Sequence, residues 1–195
     1  QIGKDIGAVC ISRPTNPTGN VVTDAELARL IELTAQRHIP LIVDSAYGLP
    51  FPAMVYVEAK PVWNENLILC FSLSKLGLPS LRTGIVIAQK EIIKALTAMN
   101  AIMSLTPTSF GAVLARNLFK NQEITALSRK IIQPFYRAKM EKAVAVVRDT
   151  FTDIPCRIHK PEGAMFLWLW FEGLPVSSLE LYQQLKENGV LVVSG

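Results

Sequence analysis

Lys75 stands in the segment FSLSKLGLPSLRTG, residues 71–84, between two serines and ahead of a Leu-Gly-Leu-Pro turn, with Arg82 seven positions on. A lysine amine can attack a carbonyl once burial or neighbouring cations favour its neutral form. The hydroxyls of Ser72 and Ser74 and the guanidinium of Arg82 make an anion-binding set, because a planar guanidinium fork matches phosphate oxygens. Two further segments contribute polar groups: Asn16 in SRPTNPTGN, and Asp44 and Tyr47 in IVDSAYG. Each has a plain structural use when taken singly. NPTG is a good turn, Asp44 can cap the next segment, the serines can bond loop backbone, and Lys75 can be a solvated charge. Together they supply an amine, a carboxylate, a phenol, an amide and an anion clamp. A phosphorylated, aromatic, carbonyl-bearing cofactor needs that combination.

These groups are useful only if the chain brings them to one place. The first half alternates strand and helix signals. GAVCIS (7–12), IPLIVD (39–44), LILCFS (67–72) and GIVIA (84–88) read as strands. Thr23 with Glu26 forms a capping box that opens a helix, and Leu27, Leu30 and Ile31 give it one apolar face. Short continuous apolar strands with long connections predict a mostly parallel sheet covered on both faces. In such a sheet ligands bind beyond the carboxyl ends of the strands, where Asn16, Asp44, Tyr47, Ser72, Ser74 and Lys75 fall, and Arg82 precedes the fourth strand.

From about residue 90 the chain becomes helical, with segments over 90–103, 108–121 and about 124–150. In the last, Leu127, Ile131 and Phe135 recur four apart, and Pro134 is expected to bend the helix. A domain boundary is placed there, giving 1–133 as part of a large domain and 134–195 as the linking helix and part of a small α+β domain. That unit reads as CRIHK, a turn at PEGA, a strand MFLWLWF, a helix opened by Ser177 with Glu180, and a final strand VLVVS.

The composition removes several classes. Half of the 195 residues are hydrophobic and 18% are charged, enough to build a core and too apolar for disorder. The net charge of +4 is scattered, so no nucleic-acid partner is expected. The longest apolar run, AMFLWLWF, is too short to span a bilayer as a helix, and QIGKDIG at the start lacks the pattern of a signal peptide. Cys10, Cys70 and Cys156 are odd in number and far apart, and are expected to be buried, reduced thiols of a cytoplasmic protein. There is no G-x-G-x-x-G, P-loop, H-E-x-x-H or C-x-x-C, and His38 and His159 stand alone. A strand signal close to the first residue and another at the last suggest an internal piece of a longer protein.

SRPTNPTGN, IVDSAYG and SLSKLGLPSLRTG, in this order and spacing, resemble the fold-type I aminotransferases that use pyridoxal phosphate. KPEGAMFLW resembles the start of that family's small domain, so the likeness runs through essentially the whole chain. The resemblance implies a three-layer α/β/α large domain, incomplete here, with part of a small α+β domain. It implies that Lys75 anchors the cofactor aldehyde and carries the substrate proton, and that Asp44 pairs with the pyridine nitrogen. Asn16 and Tyr47 would bond the ring oxygen, and Ser72, Ser74 and Arg82 would hold the phosphate. The implied reaction moves an amino group between a small aliphatic amino acid and a 2-oxo acid, with valine and pyruvate as the first expectation, in a homodimer. The alternatives are another reaction of the same cofactor, such as β-elimination, and a non-catalytic effector-binding domain of a regulator. The step from Lys75 to Arg82 is seven residues where family members commonly have eight. The family's glycine-containing phosphate loop, ring-stacking aromatic and carboxylate-binding arginine have no counterpart in these residues.

Overall fold

The computed structural model describes residues 2–106 and 109–195. Four strands form one sheet in the order β1 (Val9–Ser12), β2 (Leu41–Asp44), β3 (Leu67–Ser72) and β4 (Gly84–Ile87). The first three run parallel, with Ser12 beside Asp44 and Asp44 beside Cys70, whereas β4 is antiparallel and sets Gly84 beside Ser72. The reversal has a simple cause. Only residues 73–83 join β3 to β4, and a parallel crossover takes about a dozen residues or more.

One face of the sheet carries the core. Leu41, Val43, Leu67, Leu69 and Phe71 alternate along β2 and β3 and are buried together with Leu27 of α1 (Asp24–Ala35). α1 opens as its sequence predicts, with Thr23 Oγ accepting the Glu26 N–H and the Glu26 carboxylate accepting the Thr23 N–H. The opposite face differs from the expectation of a sheet covered on both sides: Ile42, Ile68 and Cys70 are half-exposed, and Cys10 and Val86 are exposed. The thiols therefore depart from the buried reading as well. Cys10 sits on edge strand β1, and Cys70 and Cys156 are only partly buried.

α2 (Lys90–Ser104) and α3 (Phe110–Lys120) follow the sheet; Thr108, the predicted start of the second helical segment, lies outside the described residues. α4 (Glu123–Leu127) then runs through a π-wound stretch, Ser128–Ile132, into α5 (Gln133–Thr150). Pro134 falls in the first turn of α5. It has no N–H to give and its ring crowds the carbonyl one turn back, so the winding widens just before it. The extra residue in that turn shifts the apolar stripe. Ile131 and Phe135, predicted inward, are exposed, while Ser128 and Met140 are buried and Ile132 and Tyr136 pack on the core between them.

The last part pairs β5 (Cys156–Ile158) with β6 (Leu169–Phe171), antiparallel, and ends with α6 (Ser178–Glu187) under a second capping box from Ser177 and Glu180. The strand predicted over 165–171 shortens to its last three residues. The one predicted over 190–194 does not form, because no described strand lies beside it, and Leu191–Gly195 are exposed.

Candidate functional site

The parallel run of β1 to β3 sends their carboxyl ends to one edge, and the antiparallel β4 starts at that same edge. Asp44 ends β2, Ser72 ends β3, and Lys75 sits in the tight turn Ser74–Leu76 directly after it. Asn16 lies four residues past β1 and Tyr47 three past β2. Arg82 lies two residues before Gly84, the partner of Ser72. All seven residues singled out from the sequence thus belong to one end of the sheet. The antiparallel course of β4 is what brings Arg82 there; a parallel fourth strand would have carried it to the far end.

The loop between β3 and β4 is pinned rather than loose. Leu73 and Leu76 are buried in the core, and the Leu73 N–H donates to Thr83 O at 3.1 Å. Leu76 N–H and Leu78 N–H both donate to Leu73 O. Gly77 takes a φ of 102°, a conformation a side chain would oppose, and lets the loop turn back. Ser72 Oγ accepts the Ser74 N–H at 3.2 Å, and Asp44 Oδ1 accepts the Ala46 N–H at 2.9 Å. These two contacts are the local backbone bonds that serine and aspartate make in turns. They leave the second Asp44 oxygen and the Ser74 hydroxyl without a protein partner among the described residues.

Tyr47 is 5% exposed, and Lys75 Nζ lies 5.3 Å from the centroid of its ring. Within about 6 Å an ammonium is attracted to the negative face of an aromatic ring. No ion pair among the described residues involves Lys75, Arg82 or Asp44. The Tyr47 hydroxyl likewise makes no hydrogen bond among them. Charges of both signs thus share an edge without neutralising one another. An amine, an acid, a phenol and a guanidinium in this uncommitted state fit a ligand that carries an aldehyde, a basic ring nitrogen, a ring hydroxyl and a phosphate. Cys70 faces Asp44 across the β2–β3 register. Burial first, and then the Asp44 carboxylate, push its thiol up and disfavour the reactive thiolate.

Sequence reasoning missed the residues that hold this edge together. Arg13, 7% exposed, donates to Val22 O and Lys60 O and pairs with the Asp24 carboxylate. It ties the Asn16 loop to the start of α1. A charged residue directly after an apolar strand signal was the clue available for it. Glu162 and Phe166, from the KPEGAMFLW segment, reach the same loops, and no local pattern marks which loops they meet. His159, which stands alone in the sequence, meets Asn20 Oδ1 through Nε2 at 2.6 Å. No group of His, Cys, Asp and Glu among the described residues could hold a metal ion. No described helix is long and apolar enough to cross a membrane.

The model of the aminotransferase class I and II family matches residues 1–195, and the chain belongs to that family. It is 50% identical to the valine–pyruvate aminotransferase of Escherichia coli over 195 residues, which is 100% of this chain and 47% of that protein. The solved valine–pyruvate aminotransferase AvtA of Salmonella typhimurium superposes with a TM-score of 0.93 at 50% identity, covering 99% of this chain and 50% of that one. The aspartate aminotransferase of Thermus thermophilus, at 20% identity and a TM-score of 0.85 over 99% of this chain and 50% of that one, shares the fold. The fold is therefore that of the fold-type I aminotransferases, and the chain spans about half the length of the curated relatives it matches.

Proposed function

We propose that this chain is the part of an aminotransferase that holds pyridoxal phosphate by its lysine, and that the whole protein exchanges the amino group of valine with the oxo group of pyruvate. The observation that carries the reading is the set of unpaired polar groups at one sheet edge, with Lys75 against Tyr47. The substrate pair rests on the 50% identity to a valine–pyruvate aminotransferase. When bound, the cofactor supplies an aldehyde for the amino group and a protonated ring that withdraws electrons from the substrate α-carbon.

The chain's own residues have distinct tasks. Lys75 Nζ would anchor the aldehyde carbon and, when its amine is free, would carry the proton from the substrate α-carbon to the former aldehyde carbon of the cofactor. The Asp44 carboxylate keeps the ring nitrogen protonated. The Tyr47 hydroxyl and the Asn16 amide donate to the ring oxygen. Ser72, Ser74 and Arg82 hold the phosphate, Arg82 by charge-assisted bonds. Residues 1–133 are read as part of the large domain and 134–195 as the linking helix and part of the small one. The whole protein is read as a cytoplasmic homodimer.

The full-length protein, loaded with pyridoxal phosphate and given valine and pyruvate, is expected to form alanine and 2-oxoisovalerate in equal amounts. Lys75→Ala removes the proton carrier and is expected to lower the rate by about 10²- to 10⁴-fold or more. A Lys75→Ala protein that still turns over at the parent rate overturns the mechanism. Pyruvate and ammonia formed from cysteine, with no alanine from valine, would point to elimination instead.

A further inference from the structure

Residues 162–166 cross both loops that carry cofactor-facing groups, and they are bonded to each. On the loop of Asn16, the Glu162 N–H donates to Gly19 O and the Glu162 carboxylate accepts the Val21 N–H, both at 3.1 Å. On the loop after Tyr47, the Tyr56 N–H donates to Glu162 O and the Ala164 N–H to Met54 O, both at 2.8 Å. The Tyr56 hydroxyl adds a bond to Ala164 O at 2.6 Å, and burial pushes this phenol up to about 12, so it remains a donor.

The crossing leaves no slack. A Cβ on Gly163 would stand 2.7 Å from Met54 O, and one on Gly19 would stand 2.8 Å from Gly163 O. Ala164 is 0% exposed and holds a φ of 61°. A residue with a Cβ takes that conformation only when its surroundings over-determine it. Two residues on, Phe166 meets the Tyr47 ring edge to face, with centroids 5.5 Å apart and planes at 76°. Tyr47 in turn lies against Lys75 Nζ.

We propose that Glu162 and Phe166 are positioning residues for the cofactor. Glu162 fixes the height of the Asn16 loop, and Phe166 fixes the tilt of the Tyr47 ring. Together they set how far apart the two donors to one ring oxygen stand. Neither residue touches the proposed cofactor contacts except through Asn16's loop and Tyr47. The inference rests on the cofactor reading given above.

The test uses the full-length protein with pyridoxal phosphate. Glu162→Ala and Phe166→Ala are each expected to weaken cofactor binding by about tenfold, the scale of one lost hydrogen bond or aromatic contact. Each is also expected to change the circular dichroism of the bound cofactor, which reports ring orientation. Glu162→Gln keeps an oxygen for the Val21 N–H and should retain the parent affinity and spectrum. Hydrogen exchange supplies a measurement independent of the cofactor. In Glu162→Ala the amides of residues 15–21 should exchange faster while those of β2 and β3 do not. Parent-like affinity and dichroism in both alanine variants overturns the proposal, as does an unchanged exchange rate over 15–21. If Lys75→Ala also leaves the cofactor spectrum unaltered, the cofactor reading itself fails. If Lys75→Ala removes that spectrum and the Glu162 and Phe166 variants are silent, only this inference fails.

Discussion

Asp44 shows how much a single residue's place can decide. It closes β2 with one oxygen committed to the Ala46 N–H and the other unpaired among the described residues. It also lies beside Cys70, whose thiolate is disfavoured by burial and by this carboxylate. An unpaired carboxylate at a strand end is suited to hold a proton on a basic nitrogen, a contact that gains strength as the nitrogen becomes cationic. Asp44→Ala in the full-length protein is therefore expected to bind pyridoxal phosphate yet turn over about a hundredfold more slowly or worse, the scale of removing one preorganised electrostatic partner. Stopped-flow and steady-state rates on the same preparation check this, and near-parent turnover would remove Asp44 from the mechanism. Arg82 carries a different lesson. Arg82 leaves the turn Pro79–Leu81 at a φ of 46°, seven residues after Lys75. Arg82→Ala is expected to weaken cofactor binding while Lys75 still anchors it. An unaltered affinity would show that the guanidinium does not reach the phosphate.

At the level of elements, the loop of Asn16 is held by Arg13, whose guanidinium reaches the Asp24 carboxylate in the first turn of α1. The Arg13 hydrogen bond, helped by the Lys60 N–H and opposed by burial, holds the Asp24 carboxyl below its usual range. A depressed folded-state pKa stabilises the protein above the unfolded value near 3.8, and this contribution is lost as pH falls through the folded value. The melting temperature is therefore expected to fall more steeply below about pH 4 in the parent than in Asp24→Asn, which has no carboxylate to protonate. Parallel slopes would deny the clamp a role in stability. Thr23→Ala removes the cap beside it and should cost about 1 kcal/mol in denaturant unfolding. The helix start was legible because Thr23 and Glu26 act within one turn, and the strands were legible because Leu41–Asp44 and Leu67–Ser72 are runs of apolar residues. The shared placement of the candidate residues was legible because they follow or precede strand signals. What the sequence hid depends on distance along the chain. Glu162 finds Val21 across 141 residues, and the stripe of α5 shifts because π winding intervenes. The direction of β4 was readable from the loop length, yet a pattern of four apolar runs does not itself state it.

The whole molecule is too open for its mass. A folded monomer of 21.5 kDa is expected to expose about 9,200 Å², whereas this chain exposes 12967 Å². The excess is comparable to the total area buried in obligate interfaces. Large apolar side chains are among what is exposed. Ile102 and Met103 near the end of α2 are each 83% exposed, and Phe110 and Val113 of α3 are each 63% exposed. The second face of the parallel strands carries Ile42, Ile68 and Cys70, which are only partly buried among the described residues. Parallel sheets are stable when both faces are packed, and patches of this extent mark surfaces that meet other protein. Of the candidate site residues, Asp44 and Asn16 are exposed. The 195-residue chain expressed alone is therefore expected to self-associate, to bind an apolar fluorescent dye, and to hold pyridoxal phosphate far more weakly than a full-length protein. Sedimentation velocity, dye fluorescence and cofactor titration on the two proteins side by side measure all three. A short chain that sediments as a dye-silent monomer and binds the cofactor as tightly as the full-length protein would mean that these faces need no partner and that the pocket is complete without one.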